Sequence, residues 1–317
     1  MLNERQLLDW GCSVLAETAD YIRRLIQEEF ELHTRLSAVN PSGDMMTAFD
    51  AAVNARIRQI LQESQRELPC VLISEETGVE FLHRCPEYFF LLDPVDGSTN
   101  IRPYLTPAPH LSMSLGMGYL KDLEAVKTPE AIRVSIHREI FGEQVYYAVS
   151  GQGAYIKFGR FHKKIHSSPL ESLGERSVIG LDLDECHQLP AGVKALLERG
   201  IIQRRLGSSI LDFCQVACGQ YDAYISPMGR LKITDVCQSY HLVREAGGEF
   251  GYELLRNGER DPALAQDFLY RVLSEENLLK EVRFRLIAAG TARLKEELES
   301  LLGYRSATPG AGCEAGG

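Results

Sequence analysis

Two carboxylates stand three positions apart around a proline in the segment LLDPVDGSTN, residues 91–100. Asp93 and Asp96 follow an apolar run and precede a glycine and two hydroxyl residues. Carboxylates repel one another, and removing them from water is costly unless a positive charge compensates. The segment therefore indicates a bound cation, a basic partner or exposure to water.

The residues around the two aspartates favour a metal ion next to a phosphate group. Pro94 fixes φ and lacks an N–H group, and Gly97 lets backbone amides approach an anion closely. Ser98 or Thr99 is suited to cap a helix whose amino end would attract phosphate. Mg²⁺ binds through carboxylates and phosphate oxygens, and two such ions about 4 Å apart would clamp both oxygens of a phosphoryl transfer.

Further acidic residues stand where apolar runs end or helical patterns begin, namely Asp44, Asp50, Glu75, Glu76 and Asp235. Acidic residues stabilise the first turns of helices by about 0.3–1 kcal/mol, so a purely structural role for any one of them stays open. A calcium loop is excluded because proline follows the first aspartate and no glutamate stands at the twelfth position. The D-x-D-G-T motif of dehalogenase-type phosphatases does not fit the spacing either.

Alternating helical and strand patterns must position these acids. Apolar spacing predicts one helix in the first thirty residues and another over residues 47–64. Strands are predicted at residues 70–74, 88–92, 110–120 and 145–156, the last broken by a turn at 151–153. The second half predicts strands at 177–183, 201–206 and 222–226, helices near 208–218 and 234–246, and a strand–turn–helix over 284–302.

This order predicts an α/β fold (α+β layered) with alternating helix and sheet layers. A chain of 317 residues is long enough for two small domains. The turn near Gly151 is the predicted boundary between an N-terminal α+β domain, residues 1–150, and a C-terminal α/β domain, residues 151–303. Residues 304–317, rich in glycine and alanine, are expected to form a flexible tail.

The composition narrows the class of protein. It is 44% hydrophobic and 25% charged, as in soluble globular proteins, and the net charge of −10 argues against nonspecific nucleic-acid binding. No apolar run suits a membrane span, and the N-terminal segment lacks signal-peptide features, so we expect a cytoplasmic protein. Eight cysteines without a C-x-x-C pair predict free thiols.

The motifs, taken together, resemble those of the inositol-monophosphatase superfamily, which includes fructose-1,6-bisphosphatases and nucleoside bisphosphate phosphatases. SEET, LLDPVDGSTN and ITDVCQSYHLVREAGG are similar in order and spacing to the family's G-E-E-[ST], D-P-[IVL]-D-G-[ST]-x-N and W-D-x-A…E-A-G-G. GDMMTAFD, GQGAY and LGSSILDFCQVACGQYDAY resemble further family segments. The resemblance covers about residues 5–300 and implies the sugar-phosphatase fold, with the active site between the two halves.

The resemblance also implies a set of metal ligands. It implies that Glu75, Asp93 and the carbonyl of Val95 hold a first Mg²⁺. Asp93, Asp96 and Asp235 would hold a second. The family hydrolyses phosphate monoesters by direct attack of a metal-activated water, so two or three Mg²⁺ ions are the expected cofactors.

Further catalytic and substrate roles follow from the same resemblance. Asp50 and Glu76 match positions linked to a third, weaker ion and to water activation. Ser98, together with the first glutamate, would orient and deprotonate the attacking water, while the amides of Gly97 and Ser98 would cradle the phosphate. Residues expected near the sugar are Gly207 and Ser208, although Ser208 fits a plain helix N-cap equally well.

Departures from the family pattern leave the metal ligands in place and put the substrate in doubt. Thr234 stands where the family has tryptophan, and Ser74 replaces a glycine. Several basic residues could reach a second phosphate or simply lie exposed on strand edges: Arg204, Arg205, Arg230 and Lys232.

The sequence therefore predicts a Mg²⁺-dependent phosphomonoester hydrolase that acts on a small sugar or inositol phosphate. Fructose 1,6-bisphosphate and 3′-phosphoadenosine 5′-phosphate stay open as alternative substrates, and so does a non-catalytic relative that binds sugar phosphates. The expected partner is a small phosphate ester rather than nucleic acid or a membrane. A homodimer is expected by family analogy alone.

Overall fold

The structure is a computed structural model that describes residues 1–28, 36–39, 45–64, 68–101, 109–184, 186–275 and 277–305. Within these ranges the helices are α1 (Glu4–Glu28), α2 (Ala48–Glu63), α3 (Leu120–Val126), α4 (Ala191–Leu197), α5 (Ser209–Ala217), α6 (Ile233–Glu245), α7 (Phe268–Arg271), α8 (Leu278–Glu281) and α9 (Ala292–Leu302). Short 3-10 turns span Ser98–Asn100, Pro129–Ala131 and Pro262–Gln266.

The strands in the first part of the chain are β1 (Leu36–Val39), β2 (Met45–Thr47), β3 (Cys70–Ser74), β4 (Gly78–Phe81), β5 (Tyr88–Asp96), β6 (Ser112–Tyr119), β7 (Val134–Glu139), β8 (Val145–Val149), β9 (Gly153–Phe158) and β10 (Phe161–Ile165). Those that follow are β11 (Val178–Leu181), β12 (Ile202–Arg204), β13 (Ala223–Leu231), β14 (Glu249–Arg256), β15 (Glu259–Arg260) and β16 (Val282–Ala289).

These strands form two large sheets and one small one. The first sheet has the order β10-β9-β8-β7-β6-β5-β3-β4, and the second has the order β12-β11-β13-β16-β14-β15. Strands β1 and β2 pair with each other. In the first sheet β3 runs parallel to β5, so both strands end at the same edge. That edge carries most of the predicted metal ligands.

Alternating side chains along the strands separate helix and sheet layers. In β5, Phe90 and Leu92 pack in a core with α1 and α2, whereas Phe89 and Leu91 face a second core that contains α5, α6 and one face of the second sheet. The other face of the second sheet packs against α4 and α9. The fold is therefore a five-layer α/β/α/β/α arrangement, which confirms the predicted alternation of layers.

Helix α6 lies between the two sheets and is buried on all sides along most of its length. Every residue from 233 to 243 is buried, including His241. The Nδ1 atom of His241 lies 2.9 Å from Ser135 Oγ and its Nε2 atom 3.1 Å from Ser150 Oγ. Burial lowers the pKa of His241 to about 3, so the imidazole is neutral. This histidine therefore fixes α6 to the first sheet.

Strongly patterned elements lie close to their predicted positions. The helices predicted near residues 208–218 and 234–246 correspond to α5 and α6, and the final strand–turn–helix corresponds to β16 and α9. Strand β10 was not predicted, because it lies at a sheet edge and residues 161–164 are all exposed, with three consecutive polar residues rather than an alternating pattern.

The predicted domain boundary falls inside the first sheet. Gly151 and Gly153 lie at the turn between β8 and β9, and this sheet continues to Ile165 before the second sheet begins at Val178. Tyr304 packs against the core of α4 and α9. Residues 306–317 of the predicted tail lie outside the described residues. The division into domains stays a prediction.

The structure also bears on membrane-spanning helices and on the cysteines. No helix in the described part of the chain is both long and apolar enough to cross a membrane. The cysteines within the described ranges are all free thiols, and Cys313 lies outside those ranges.

Replacing Phe213 tests how tightly the core between the two sheets is packed. Its ring lies 4.8 Å edge-on from Tyr224 and 5.5 Å from the stacked ring of Phe250, and it has no exposed surface. We expect Phe213→Ala to lower the free energy of unfolding, measured by urea denaturation, by about 3–5 kcal/mol through lost burial and a residual cavity. Phe161→Ala, at an exposed position, should change it by less than about 0.5 kcal/mol. Equal effects would contradict this packing.

Candidate metal centre

A bulge at the end of β5 positions the two aspartates of the DPVD segment. Asp93 lies opposite Ser114 of β6 and Asp96 lies opposite Ser112, so two residues of β5 face one residue of β6. Side chains three apart on a regular strand point to opposite faces, and the extra residue at Pro94 changes this. The predicted turn is therefore a bulged continuation of the strand.

Glu75 reaches the same place from the neighbouring strand. In the parallel pair, Ser74 at the end of β3 lies opposite Leu92 of β5. Glu75 therefore follows β3 beside the position of Asp93 in β5. Both side chains emerge at one edge of the sheet because parallel strands end on the same side.

Asp235 comes from the first turn of α6. Its Oδ2 atom accepts a hydrogen bond of 2.8 Å from the backbone N–H of Lys232, which closes the start of the helix. An acid in this position is stabilised by the amino end of the helix. Because α6 lies between the sheets, this end carries Asp235 to the edge where β3 and β5 finish.

The three acids form one compact cluster. Ligand oxygens of Glu75, Asp93 and Asp235 all lie within 4.8 Å of one another. Asp93 is 2% exposed and Asp235 is 8% exposed. The ammonium Nζ of Lys232 lies 3.0 Å from Glu75 Oε2. We call Glu75, Asp93 and Asp235 the acid cluster.

Burial and mutual repulsion change the acidity of the acid cluster. Burial raises the pKa of Asp93 well above its ordinary value, and the negative charges of Glu75, Asp96 and Asp235 raise it further. Burial also raises the pKa of Asp235 to about 7, while the positive charge of Lys232 opposes the rise in both aspartates. Lys232 therefore offsets only part of the burial and repulsion that disfavour the ionised forms of these aspartates.

Asp96 lies beside the cluster but is bonded to the start of α5. Its Oδ2 atom accepts hydrogen bonds of 2.5 Å from Ser208 Oγ and 2.8 Å from the backbone N–H of Ile210. Burial raises the pKa of Asp96, and these hydrogen bonds oppose the rise. Asp96 is not in the group of oxygens within 4.8 Å of one another. Its role as a metal ligand stays a prediction.

The segment after Asp96 is tied to the loop before α5. Gly97 has φ +86°, and a Cβ there would lie 2.8 Å from the carbonyl oxygen of His110. Gly207 has φ +76°, and a Cβ there would lie 2.5 Å from Asn100 Oδ1. Asn100 Nδ2 donates to the carbonyls of His110 and Leu206, at 2.8 and 3.0 Å. The structure thus brings the predicted phosphate-binding and sugar-binding glycines together.

Two details of this loop differ from or extend the sequence interpretation. Ser98 and Thr99 do not cap a long helix; they begin a 3-10 turn of three residues, whose N-cap is Gly97. The sequence interpretation gave Asn100 no role, although it stands at the last position of the DPVDGSTN motif. A short polar side chain after a glycine turn was the available signal.

Ser208 is the N-cap of α5, one of the two roles that the sequence left open. Its Oγ accepts a hydrogen bond of 3.2 Å from the N–H of Leu211, which caps α5, and it also contacts Asp96 and Ser112. The N-cap and the link to the DPVD segment are therefore compatible. Its contact with substrate stays a prediction.

The structure also describes three other residues that were predicted to hold ions: Asp50, Glu76 and Val95. Asp50 lies buried in the first turn of α2, and Glu76 is half-buried in the turn after β3, where its N–H donates to Ser74 Oγ at 3.3 Å. The N–H of Val95 donates to Asp93 Oδ1 at 3.1 Å. Asp44 lies outside the described residues. The metal roles of Asp50, Glu76 and Val95 stay predictions.

The four basic residues that were candidates for binding a second phosphate lie in different surroundings. Arg205 pairs with Asp182 at 2.8 Å and Asp184 at 2.6 Å, and Arg230 donates to the carbonyl of Asp184 at 2.9 Å. Arg204 lines a separate cleft of about 470 Å³ with Tyr146 and Tyr221. Lys232 contacts the acid cluster.

The residues present fit a hard divalent cation. Mg²⁺ prefers carboxylate oxygens, and the cluster offers three that repel one another at close range in a buried position. A bound divalent cation would relieve this repulsion and could bring a phosphate oxygen and a water molecule into contact.

The raised pKa of Asp235 contributes to the stability of the metal-free protein below the ordinary aspartate pKa of 3.8, because the protonated carboxyl favours the folded state there. This contribution is lost as pH rises through about 7. In the presence of a chelator, we expect the melting temperature of Asp235→Asn to rise relative to that of the unmodified chain between these two values. Parallel curves for the two proteins would contradict the assigned acidity.

Ser208→Ala should lower the free energy of unfolding by about 1–2 kcal/mol, since it removes an N-cap and a donor to Asp96. Thr291→Ala is the comparison variant, because Thr291 caps α9 and its Oγ1 donates to the carbonyl of Leu170 at 2.7 Å rather than to a carboxylate. Chemical denaturation should show the larger loss for Ser208→Ala. An equal or smaller loss would show that the carboxylate of Asp96 stabilises the fold no more than a neutral acceptor does.

Comparison with known proteins shows which protein family the chain resembles. A family model described as the inositol monophosphatase family matches residues 5–279. The chain is 28% identical over 237 residues, 74% of this chain and 75% of the relative, to a fructose-1,6-bisphosphatase/inositol-1-monophosphatase from Methanothermobacter thermautotrophicus. It is 30% identical over 223 residues, 68% of this chain and 76% of the relative, to a protein of Haemophilus influenzae named Nus factor SuhB.

A solved structure supports the fold. The extragenic suppressor protein suhB from Bartonella henselae aligns with a TM-score of 0.68 at 18% identity, covering 94% of this chain and 98% of that one. The family match spans most of the chain, including the segments that carry the acid cluster. The chain therefore belongs to the inositol monophosphatase family of phosphatases.

Proposed function

We propose that the chain is a Mg²⁺-dependent phosphomonoesterase that acts on a small sugar or inositol phosphate. The observation that carries this proposal is the acid cluster, whose oxygens come from three separate segments and lie within 4.8 Å of one another. Acids with only a solvated, structural role would be expected at the surface, whereas Asp93 and Asp235 are buried. Membership of the inositol monophosphatase family supports the same reaction.

The residues that would hold the ions follow the family pattern. Glu75, Asp93 and the carbonyl of Val95 would hold a first Mg²⁺, and Asp93, Asp96 and Asp235 a second. This second role requires Asp96 to share its oxygens with α5, to which it is already bonded. When bound, Mg²⁺ supplies positive charge that acidifies water and stabilises phosphoryl oxygens. A third ion near Asp50 and Glu76 belongs to the same proposal.

The chain's own groups would orient the reactants. Ser98 and Glu75 would hold the attacking water, and Glu75 would accept its proton. The amides of Gly97 and Ser98 would cradle the phosphate, because a glycine without a side chain lets an anion approach the backbone closely. The water oxygen forms a bond to phosphorus while the ester P–O bond breaks, and the leaving oxygen takes a proton from solvent, which releases an alcohol and inorganic phosphate.

A monophosphate fits the arrangement of basic residues better than a bisphosphate. Arg205 is paired with two aspartates, and Lys232 with Glu75, so neither charge is directed to a distant second phosphate. Inositol or sugar monophosphates are therefore the proposed substrates. Fructose 1,6-bisphosphate is the alternative, supported by the name of the relative from M. thermautotrophicus. 3′-Phosphoadenosine 5′-phosphate is a further alternative from the motifs alone.

Asp93→Asn should reduce Mg²⁺-dependent phosphate release by at least about 100-fold, because it removes an oxygen charge shared between the proposed ions. Its melting temperature without metal should not fall, since the substitution also removes repulsion from the acid cluster. Asp122→Asn, whose carboxylate pairs with Arg133 away from the cluster, is the control and should keep full activity. Retained turnover in Asp93→Asn would contradict the proposal.

The substrate is tested by phosphate release from inositol 1-phosphate, fructose 1,6-bisphosphate and 3′-phosphoadenosine 5′-phosphate, each with Mg²⁺ and with a chelator. We expect the highest kcat/KM for the monophosphate. A preference for either bisphosphate would select the corresponding alternative. Binding of these compounds without phosphate release would instead show a non-catalytic sugar-phosphate-binding protein.

A further inference from the structure

Lys232 contacts the acid cluster through both its side chain and its backbone. Its Nζ lies 3.0 Å from Glu75 Oε2, and its N–H donates to Asp235 Oδ2 at 2.8 Å. The Lys232 side chain is 15% exposed and that of Glu75 is 13% exposed. One residue thus contacts two of the three acids and places its positive charge where solvent screens little.

The position of this ammonium has opposite consequences for the two states of the site. Without a metal ion, its charge offsets part of the repulsion among buried carboxylates. When a divalent cation approaches Glu75, the ammonium competes for the same oxygen. It also lies next to the arriving ion, and like charges repel strongly where water is scarce.

We propose that Lys232 is an internal counter-ion that stabilises the metal-free acid cluster and lowers its affinity for Mg²⁺. The inference rests on the proposed metal-dependent function and adds a residue that sets the Mg²⁺ concentration at which the site becomes loaded. Lys232 is a positioning residue in this role, because it acts through the carboxylates of the cluster.

Two other roles for Lys232 make different predictions. A purely structural ion pair would lower stability when removed and leave Mg²⁺ affinity unchanged. A ligand for a substrate phosphate would lose affinity for phosphate and likewise leave Mg²⁺ affinity unchanged. The counter-ion role alone predicts that removal of the charge tightens Mg²⁺ binding while it destabilises the metal-free protein.

The test uses isothermal titration of the full chain with Mg²⁺, together with melting curves in a chelator and in Mg²⁺. We expect Lys232→Met to bind Mg²⁺ at least about tenfold more tightly than the unmodified chain. Its melting temperature in the chelator should fall, and the rise on adding Mg²⁺ should be larger. Lys232→Arg, which keeps the positive charge, should bind Mg²⁺ with the affinity of the unmodified chain.

Lys295→Met is the matched control. Lys295 Nζ pairs with Glu299 at 3.1 Å on α9, and both side chains are 16% exposed, similar to the pair at the acid cluster. This variant should change the melting temperature without changing the Mg²⁺ affinity. Lys232→Gln, a smaller change in polarity, gives the same comparison should Lys232→Met fail to fold.

The outcomes separate the two proposals. Unchanged or weaker Mg²⁺ binding by Lys232→Met and Lys232→Gln would overturn the counter-ion role. Unchanged Mg²⁺ affinity with weaker binding of inorganic phosphate would identify Lys232 as a phosphate ligand and overturn it as well. If the unmodified chain and both variants bind no Mg²⁺, the metal-dependent function itself fails, and the inference fails with it.

Discussion

Repulsion among buried carboxylates is the constraint on which the rest of this site depends. Glu75, Asp93 and Asp235 lie within 4.8 Å of one another with little access to water. Such an arrangement persists only where positive charge or protonation compensates. The protein supplies part of this compensation through Lys232 and the amino end of α6, and the raised pKa values show that the compensation is incomplete. A divalent cation is the natural complement.

The fold brings these charges together by rigid means. Parallel pairing of β3 and β5 aligns Glu75 with Asp93, and a bulge in β5 redirects Asp96 toward α5. Helix α6 is buried between two sheets, so its first turn holds Asp235 with little freedom to move away. Fixed ligands are what a metal site of defined geometry needs, because each acid is held by packing that the ion does not have to provide.

Sequence reasoning identified the elements with strong apolar patterns and the acids at their ends. The runs around residues 70–74 and 88–92 and the helix near 234–246 were predictable because burial imposes their composition. Long-range details were not. The bulge depends on pairing with β6, the bonds of Asp96 depend on a helix more than a hundred residues away, and the contact of Lys232 with Glu75 spans a similar separation. No local pattern encodes such contacts.

Anomalous diffraction from crystals soaked in Mn²⁺, a scatterer that takes the same oxygen ligands as Mg²⁺, tests the central claim most directly. The account predicts an anomalous peak in contact with carboxylate oxygens of Glu75, Asp93 and Asp235 together. Peaks confined to other parts of the surface, with these three carboxylates bound to no ion, would contradict it.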